Sequence, residues 1–250
     1  MELSATFFLL AIPAVIVAGI SKGGFGGGAV FVAAPLMAVA VDPAFAVGLM
    51  LPLLMLMDVA ALRHYWREWH WDKARHLIYG ALPGVLIGWL TFRYVSADGV
   101  RLLVGGIVVV FTVQQIAARR GLLKPGETFA TPLWGWFWGT VAGFTSFVSH
   151  AGGPPSAMYL LGNRLSKTQY QASTVLAFWW INLLKLPAYL VLGLFTWQTF
   201  IADLILAPVA LLSVALGVRA HRVIPEKVFF NLTYVLLFLT GSKLIYDALT

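Results

Sequence analysis

The chain of 250 residues contains no cysteine, and only 11% of its residues are charged. The absence of cysteine excludes disulfides, iron–sulfur clusters and cysteine-ligated zinc. A soluble domain carries about 25% charged and about 45–50% apolar residues, whereas the apolar share here is 60% and the mean hydropathy is +0.85. This composition excludes a soluble globular protein, a disordered chain and a nucleic-acid-binding domain. It predicts an integral membrane protein.

Catalytic sequence motifs are also lacking. There is no HExxH, GxSxG or Walker pattern, which are the signatures of zinc hydrolases, serine hydrolases and nucleotide-binding proteins. We therefore expect no enzyme activity, no cofactor and no metal site.

Eight apolar stretches have about the length of 20 residues that a transmembrane helix needs. They lie near 3–20, 44–62, 77–95, 102–118, 131–149, 170–192, 200–218 and 227–249. Two shorter apolar pieces, 29–41 and 151–161, would extend only ~17–20 Å as helices, less than the ~30 Å hydrocarbon core. Each is predicted to be the second arm of a hairpin or a re-entrant half-helix.

Each short piece follows a glycine-rich break in the sequence. The breaks are Gly23-Gly24-Phe25-Gly26-Gly27-Gly28 and Gly152-Gly153-Pro154-Pro155. Interrupted backbone at membrane depth persists only where it is buried in protein or lines a cavity. The breaks therefore mark candidate binding sites, the alternative being close glycine packing against another helix.

The two breaks indicate a repeat. Gly27-Gly28 and Gly152-Gly153 lie 125 positions apart, half the chain length, and Gly88…Arg93 is matched by Gly217…Arg222. Corresponding interrupted helices in two halves point to a transporter binding site. We predict an all-α polytopic membrane protein with two inverted repeats of about four helices, each opened by a glycine-broken hairpin or re-entrant helix. The repeats are 1–120 and 132–250, joined by a cytoplasmic linker at 121–131.

The distribution of Lys and Arg predicts the orientation in the membrane, because cytoplasmic loops are enriched in both. If 131–161 forms a hairpin, twelve basic residues lie inside and two, Arg93 and Arg101, lie outside. The inside set belongs to 63–76, 117–128, the 164–167 turn and 219–227. This arrangement gives the halves opposite orientations and places both termini outside.

Ionisable residues within apolar stretches are functional candidates, because a buried charge is costly at bilayer depth. Lys22 opens the first break and His150, preceded by Ser149, opens the second. Lys22 with the nearby backbone N–H groups could hold an anion, or it could pair with a carboxylate or extend to the interface. His150 could donate to an anion or carry a proton, or it could be a packed residue bonded to a carbonyl.

Three further polar residues occupy corresponding long helices of the two halves. Asp58 is expected to pair with Arg63 or another cation, with a coupling-ion or proton site as the alternative. Asn182 and Lys185 share one helical face because they are about one turn apart. Lys185 is expected either to line a substrate path or to neutralise a buried carboxylate.

At the two breaks and the helices that follow them, the sequence resembles the TauE/SafE family of sulfite exporters. The matching stretches run from Gly19 to Pro35, from Pro43 to Gly48, from Arg63 to Gly88, and from Gly139 to Pro154, followed by Gln171-Ala172-Ser173-Thr174. The resemblance implies an inner-membrane carrier with two inverted four-helix halves that exports sulfite or a small organosulfonate such as sulfoacetate. The second break, Ser-His-Ala-Gly-Gly-Pro-Pro, is poorer in glycine than that of many family members.

Taken together, the residues and the resemblance predict a secondary exporter of a small sulfur-containing anion in the bacterial inner membrane. The anion would bind at mid-membrane between the two breaks. The expected site residues are Lys22, Gly23, Gly24, Gly26, Gly27, Gly28, Ser149, His150, Gly152, Gly153, Asn182 and Lys185, with Asp58 and His150 as coupling candidates. The alternatives are a carrier or channel for another small anion and, in a different class, a membrane-embedded enzyme or assembly subunit. The expected partners are the anion and the lipid bilayer but no nucleic acid, and a homo-oligomer is left open.

Overall fold

A computed structural model describes residues 3–27, 41–92 and 131–249, with residues 30, 33, 37, 94, 98, 99, 102, 105, 106, 109, 112 and 113 between them. These described residues form helices and turns and contain no strand, which confirms an all-α protein. Their eight longer helices are α1 Ala5–Gly24, α2 Pro43–His64, α3 Trp71–Thr91, α4 Pro132–Ser149, α5 Gly153–Leu161, α6 Lys167–Val191, α7 Trp197–Val223 and α8 Glu226–Leu249.

Five of these helices, α1, α2, α6, α7 and α8, are long and apolar enough to cross a membrane. The chain is therefore a multi-pass membrane protein, as its composition predicts. Most of the predicted span at 102–118, most of the short arm at 29–41 and nearly all of the 121–131 linker lie outside the described residues.

Two predicted loops are shorter than expected. Helix α3 begins at Trp71, inside the basic segment 63–76, and only Ile224 and Pro225 separate α7 from α8. The basic residues at these places occupy helix ends because a long side chain can place its charge in the interface while its stem stays apolar. The charge pattern therefore overstates the length of these two loops.

Glycines bring α3 and α4 into close contact. A Cβ atom added to Gly80 would lie 2.3 Å from the Trp136 carbonyl, and one added to Gly84 would lie 2.0 Å from the Thr140 carbonyl. Gly139 on α4 meets α3 in the same way, at 2.5 Å from the Leu77 carbonyl. Small residues allow membrane helices to approach to backbone contact, so this pair packs without side chains between the two axes.

The pair formed by α1 and α7 has the same construction. A Cβ on Gly23 would lie 2.3 Å from the Val214 carbonyl, and one on Gly24 would lie 2.4 Å from the Gly217 carbonyl. These two glycines of the first break therefore lie within α1 and pack against α7. The interruption of the first helix starts only at Phe25.

Candidate functional site

A buried ion pair joins α1 to α2. The Lys22 ammonium donates to Oδ1 of Asp58, and both side chains are almost completely buried. Asn182 on α6 donates to Oδ2 of the same carboxylate at 2.7 Å. Asp58 thus pairs with Lys22, not with Arg63 on its own helix. Its two oxygens are satisfied by the first half and the second half respectively.

A second buried cluster surrounds Lys185 on α6. Its ammonium lies 3.1 Å from the carbonyl oxygen of Ser146, 3.1 Å from Oγ of Ser146 and 3.1 Å from Nδ1 of His150. Three neutral acceptors match the three N–H donors of an ammonium. Among the described residues no carboxylate lies within ion-pair distance of Lys185, so its charge is solvated by neutral groups.

His150 ends α4 in a left-handed conformation, with φ of 55°, and its backbone N–H donates to the Ser146 carbonyl. Its Nε2 lies 3.0 Å from the carbonyl oxygen of Val47 on α2. A carbonyl only accepts and an ammonium only donates, so Nε2 carries the proton and Nδ1 presents its lone pair to Lys185. Beside a Lys185 ammonium, His150 is therefore a neutral imidazole.

A small cavity lies between these two clusters. Its polar lining comes from both, and its apolar lining includes one aromatic ring; the residues are Lys22, Gly27, Val30, Leu54, Ser146, His150, Gly153, Phe178 and Asn182. The Lys22 ammonium lies 5.1 Å from the centre of the Phe178 ring, within cation–π range. Helix α5 begins at Gly153, so its positive N-terminal end faces the cavity.

The first break forms a tight turn that is held by α6. Gly26 and Gly27 have φ of 66°, a region that glycine adopts without a steric penalty. The N–H of Gly26 donates to Oε1 of Gln171 at 2.5 Å, while Nε2 of Gln171 donates to the Lys22 carbonyl at 2.5 Å. The buried amide of Gln171 therefore replaces the helical hydrogen bonds that end at the break.

Each break is also held by a tyrosine at the end of a long helix. Tyr65, directly after α2, donates to the Gly23 carbonyl at 2.7 Å, and Tyr189 near the end of α6 donates to the Phe147 carbonyl at 2.6 Å. Burial raises the pKa of Tyr65 above its ordinary value, so its hydroxyl remains a donor. The two bonds tie the end of each long helix to the break of its own half.

These contacts recur at a constant interval of 124 positions. Gly26 and His150 are both left-handed turn residues, and Tyr65 and Tyr189 donate to the carbonyls of Gly23 and Phe147. The same interval relates Asp58 to Asn182 and Lys22 to Ser146. The spacing of the glycines alone gives an interval of 125 positions, because it matches Gly27 with Gly152. The hydrogen bonds instead match Gly26 with His150, which gives an interval of 124 positions.

The two breaks lie at opposite ends of the α2 and α6 pair. The first contacts Gln171 near the start of α6 and Tyr65 just after α2, while the second contacts Val47 near the start of α2 and Tyr189 near the end of α6. The two helices therefore run antiparallel, with the contact between Asp58 and Asn182 between their ends.

The remaining predicted site residues have structural partners in this conformation. The hydroxyl of Ser149 donates to the Thr145 carbonyl at 3.3 Å, and the N–H of Gly27 donates to the Ser21 carbonyl at 3.0 Å. Gly152 packs against α4, where an added Cβ would lie 2.7 Å from the Ala142 carbonyl. Gly28 lies outside the described residues.

Sequence reasoning missed Gln171, Tyr65, Tyr189 and His221 as members of this centre. His221 lies within the basic segment 219–227, yet it is buried in α7 with Nδ1 3.2 Å from the Gly24 carbonyl oxygen. The interval of 124 is the signal that could have found the tyrosines. Nothing in the sequence pairs Gln171 with Gly26, because the contact joins residues of opposite halves.

The protein-family model "Sulfite exporter TauE/SafE" matches residues 11–244 of the chain. The chain belongs to the TauE/SafE family. It is therefore a member of a family of membrane transporters, which agrees with the expectation that it is not an enzyme. The match begins within α1 and ends within α8, and it includes both breaks and both clusters of this TauE/SafE chain. Comparison with curated proteins and comparison with solved structures gave no match.

Proposed function

We propose that this protein is a secondary carrier that exports a small sulfur-containing anion, sulfite or an organosulfonate, across the bacterial cytoplasmic membrane. The observation that carries the proposal is the Lys185 ammonium, buried beside a cavity with only neutral acceptors at hydrogen-bond distance among the described residues. An unbalanced buried cation is unfavourable until an opposite charge approaches it. A small anion in the cavity supplies that charge.

The anion would bind in the cavity between the two breaks. The donors that line it are the ammonium group of Lys22, the amide of Asn182, the hydroxyl of Ser146 and the N-terminal end of α5 at Gly153. The Lys185 ammonium does not line the cavity, but it lies 3.1 Å from Ser146 and His150, which do. The ammonium of Lys22 already serves Asp58, so Lys185 is the main electrostatic attractor. Gly23 and Gly24 contribute by letting α1 lie against α7, which positions Lys22.

Alternating access would follow from an inverted repeat. The recurring contacts at 124 positions, and the pairing of α1 with α7 and of α4 with α3, support this arrangement. The bonds of Gly26 and Tyr65 would close the cavity at one end of the α2 and α6 pair. Those of His150 and Tyr189 would close it at the other end. The charge distribution predicts that the Tyr65 end is cytoplasmic and that both termini face outward.

The membrane potential would drive export. Moving one negative charge outward through an inside-negative potential gains ~2.3 kcal/mol per 100 mV. Asp58 and His150 remain candidates for carrying a coupled proton, because each sits at a junction between helices of the two halves. An anion channel built from the same elements is the alternative, and it would pass ions far faster than a conformational cycle allows.

Efflux of sulfite from proteoliposomes tests the proposal. We expect Lys185→Ala to reduce the efflux rate at least tenfold and Lys185→Arg to retain part of it, because the arginine keeps the charge. Lys243→Ala is the matched control: Lys243 pairs with Asp247 at the exposed surface of α8, so its loss should leave efflux unchanged. If wild-type protein moves neither sulfite nor any organosulfonate, the proposal is wrong.

A further inference from the structure

The buried charges around the cavity indicate how many negative charges the transported anion carries. Lys22 and Asp58 contribute no net charge together, because their ammonium and carboxylate form an ion pair. His150 is neutral because of its bonds to Val47 and Lys185. Lys185, as the ammonium whose three N–H donors match its three acceptors at 3.1 Å, adds one positive charge.

No other described group changes this count. The charged groups that act electrostatically on Lys185 are Lys22 and Asp58, and those that act on His150 are Lys185 and Lys22. Tyr189 and Tyr65 face the breaks as hydroxyl donors to carbonyls and are therefore neutral. The closed centre thus holds a net charge of plus one.

We propose, on the basis of the export function above, that this carrier binds singly charged oxyanions and rejects doubly charged ones. A monoanion brings the buried centre to neutrality. A dianion would leave one uncompensated negative charge in a low-dielectric site, where an isolated charge is strongly unfavourable. The transported species of sulfite is accordingly hydrogensulfite, and a sulfonate with one charge is an equivalent substrate. A sulfonate with a second charge on a carboxylate, such as sulfoacetate, is rejected.

The experiment compares three oxyanions in proteoliposomes. Methanesulfonate carries one charge and sulfate two throughout the working pH range, while sulfite loses its second proton within it. We expect methanesulfonate to inhibit labelled sulfite efflux at a concentration at least tenfold lower than sulfate. Sulfite efflux should fall as pH rises through its second dissociation, while methanesulfonate efflux stays nearly constant. The proposal would be overturned if sulfate inhibited sulfite efflux as strongly as methanesulfonate does. It would also be overturned if sulfite efflux increased with the concentration of the sulfite dianion as pH rises.

Variants that change the charge of the Lys22–Asp58 pair provide an independent test. Asp58→Asn raises the buried net charge to plus two, so we expect preference for sulfate over methanesulfonate to rise at least tenfold. The double variant Lys22→Met with Asp58→Asn restores plus one and should return the wild-type selectivity ratio, whatever its absolute rate. An unchanged ratio in Asp58→Asn contradicts the inference. If Asp58→Asn does not fold, the double variant provides the test. Because its net charge is again plus one, a preference for sulfate in the double variant would contradict the inference.

The two proposals fail in different ways. Efflux of sulfate as fast as that of methanesulfonate leaves anion export intact but refutes selection by charge. Absence of efflux for all three anions refutes both.

Discussion

Asn182 donates a hydrogen bond to Oδ2 of Asp58 over 2.7 Å, and this bond joins α6 to α2 between the two breaks. The two residues are 124 positions apart, the interval that also relates Tyr65 to Tyr189, and they are counterparts in the inverted repeat that we propose. One half supplies a carboxylate and the other an amide of similar shape. The two positions are therefore similar in shape but differ in charge. As a result, the carboxylate of Asp58 neutralises Lys22, while no described carboxylate neutralises Lys185.

Removal of the Asp58 charge should destabilise the protein more than removal of a partly exposed carboxylate whose lysine partner lies at the surface. Asp58→Asn leaves Lys22 buried without its partner, which costs about 3–5 kcal/mol in buried pairs. The matched control is Asp247→Asn, because exposed pairs contribute only about 0–1 kcal/mol. Thermal unfolding in detergent should show a large decrease in Tm for the first variant and a small one for the second. Similar decreases would contradict the buried pair.

Substitution at the α3 and α4 interface should also reduce stability. Gly84→Ala places a methyl group 2.0 Å from the Thr140 carbonyl, and overpacking of this kind costs about 1–3 kcal/mol. Gly106→Ala is the control, because nothing lies within 4 Å of the added Cβ. We expect a lower Tm only for Gly84→Ala. A neutral result at Gly84 would show that the two helices are not in backbone contact.

The conformation of His150 predicts an order among its variants. Its φ of 55° is left-handed, which costs a residue with a Cβ about 1–2 kcal/mol. His150→Gly and His150→Ala both lose the bonds to Val47 and Lys185, but only alanine keeps the backbone strain. Tm should therefore be lower for His150→Ala than for His150→Gly. The reverse order would contradict a left-handed helix end.

The two tyrosines should control opposite openings of the cavity. Tyr65→Phe removes one buried hydrogen bond from the first break and Tyr189→Phe removes one from the second, each contributing about 0.5–1.5 kcal/mol. Ser146→Cys, in a chain with no other cysteine, gives a single reporter thiol in the cavity wall. Labelling by a membrane-impermeant thiol reagent should increase from the cytoplasmic side with Tyr65→Phe and from the outer side with Tyr189→Phe. Increases from the same side in both variants would refute the two-gate arrangement.

Much of the fold could be predicted from the sequence, because each long helix is a continuous apolar run bounded by turn residues. The starts of α4, α6 and α8 fall within about three residues of the predicted starts. This accuracy is typical of helix ends. Helix α3 was misjudged because its first turn is basic and looks like a loop.

The candidate site was predictable only in part. Lys22, Asp58, Asn182 and Lys185 were identified as costly buried residues, but their pairing was not, since it joins residues from 36 to 124 positions apart in sequence. Gly23 and Gly24 carry no signal that separates helix packing from a turn. The position of α7, which no local pattern specifies, decides between these two roles.

The position of the two breaks at opposite ends of the α2 and α6 pair has a structural consequence. If the halves are equivalent folds, each could adopt the local geometry that the other has in this conformation. Exchanging the two geometries, residue for residue at the interval of 124 positions, would generate coordinates for a second state with the cavity opened toward the other side. The present conformation thereby predicts, atom by atom, the conformation that is open to the other side of the membrane.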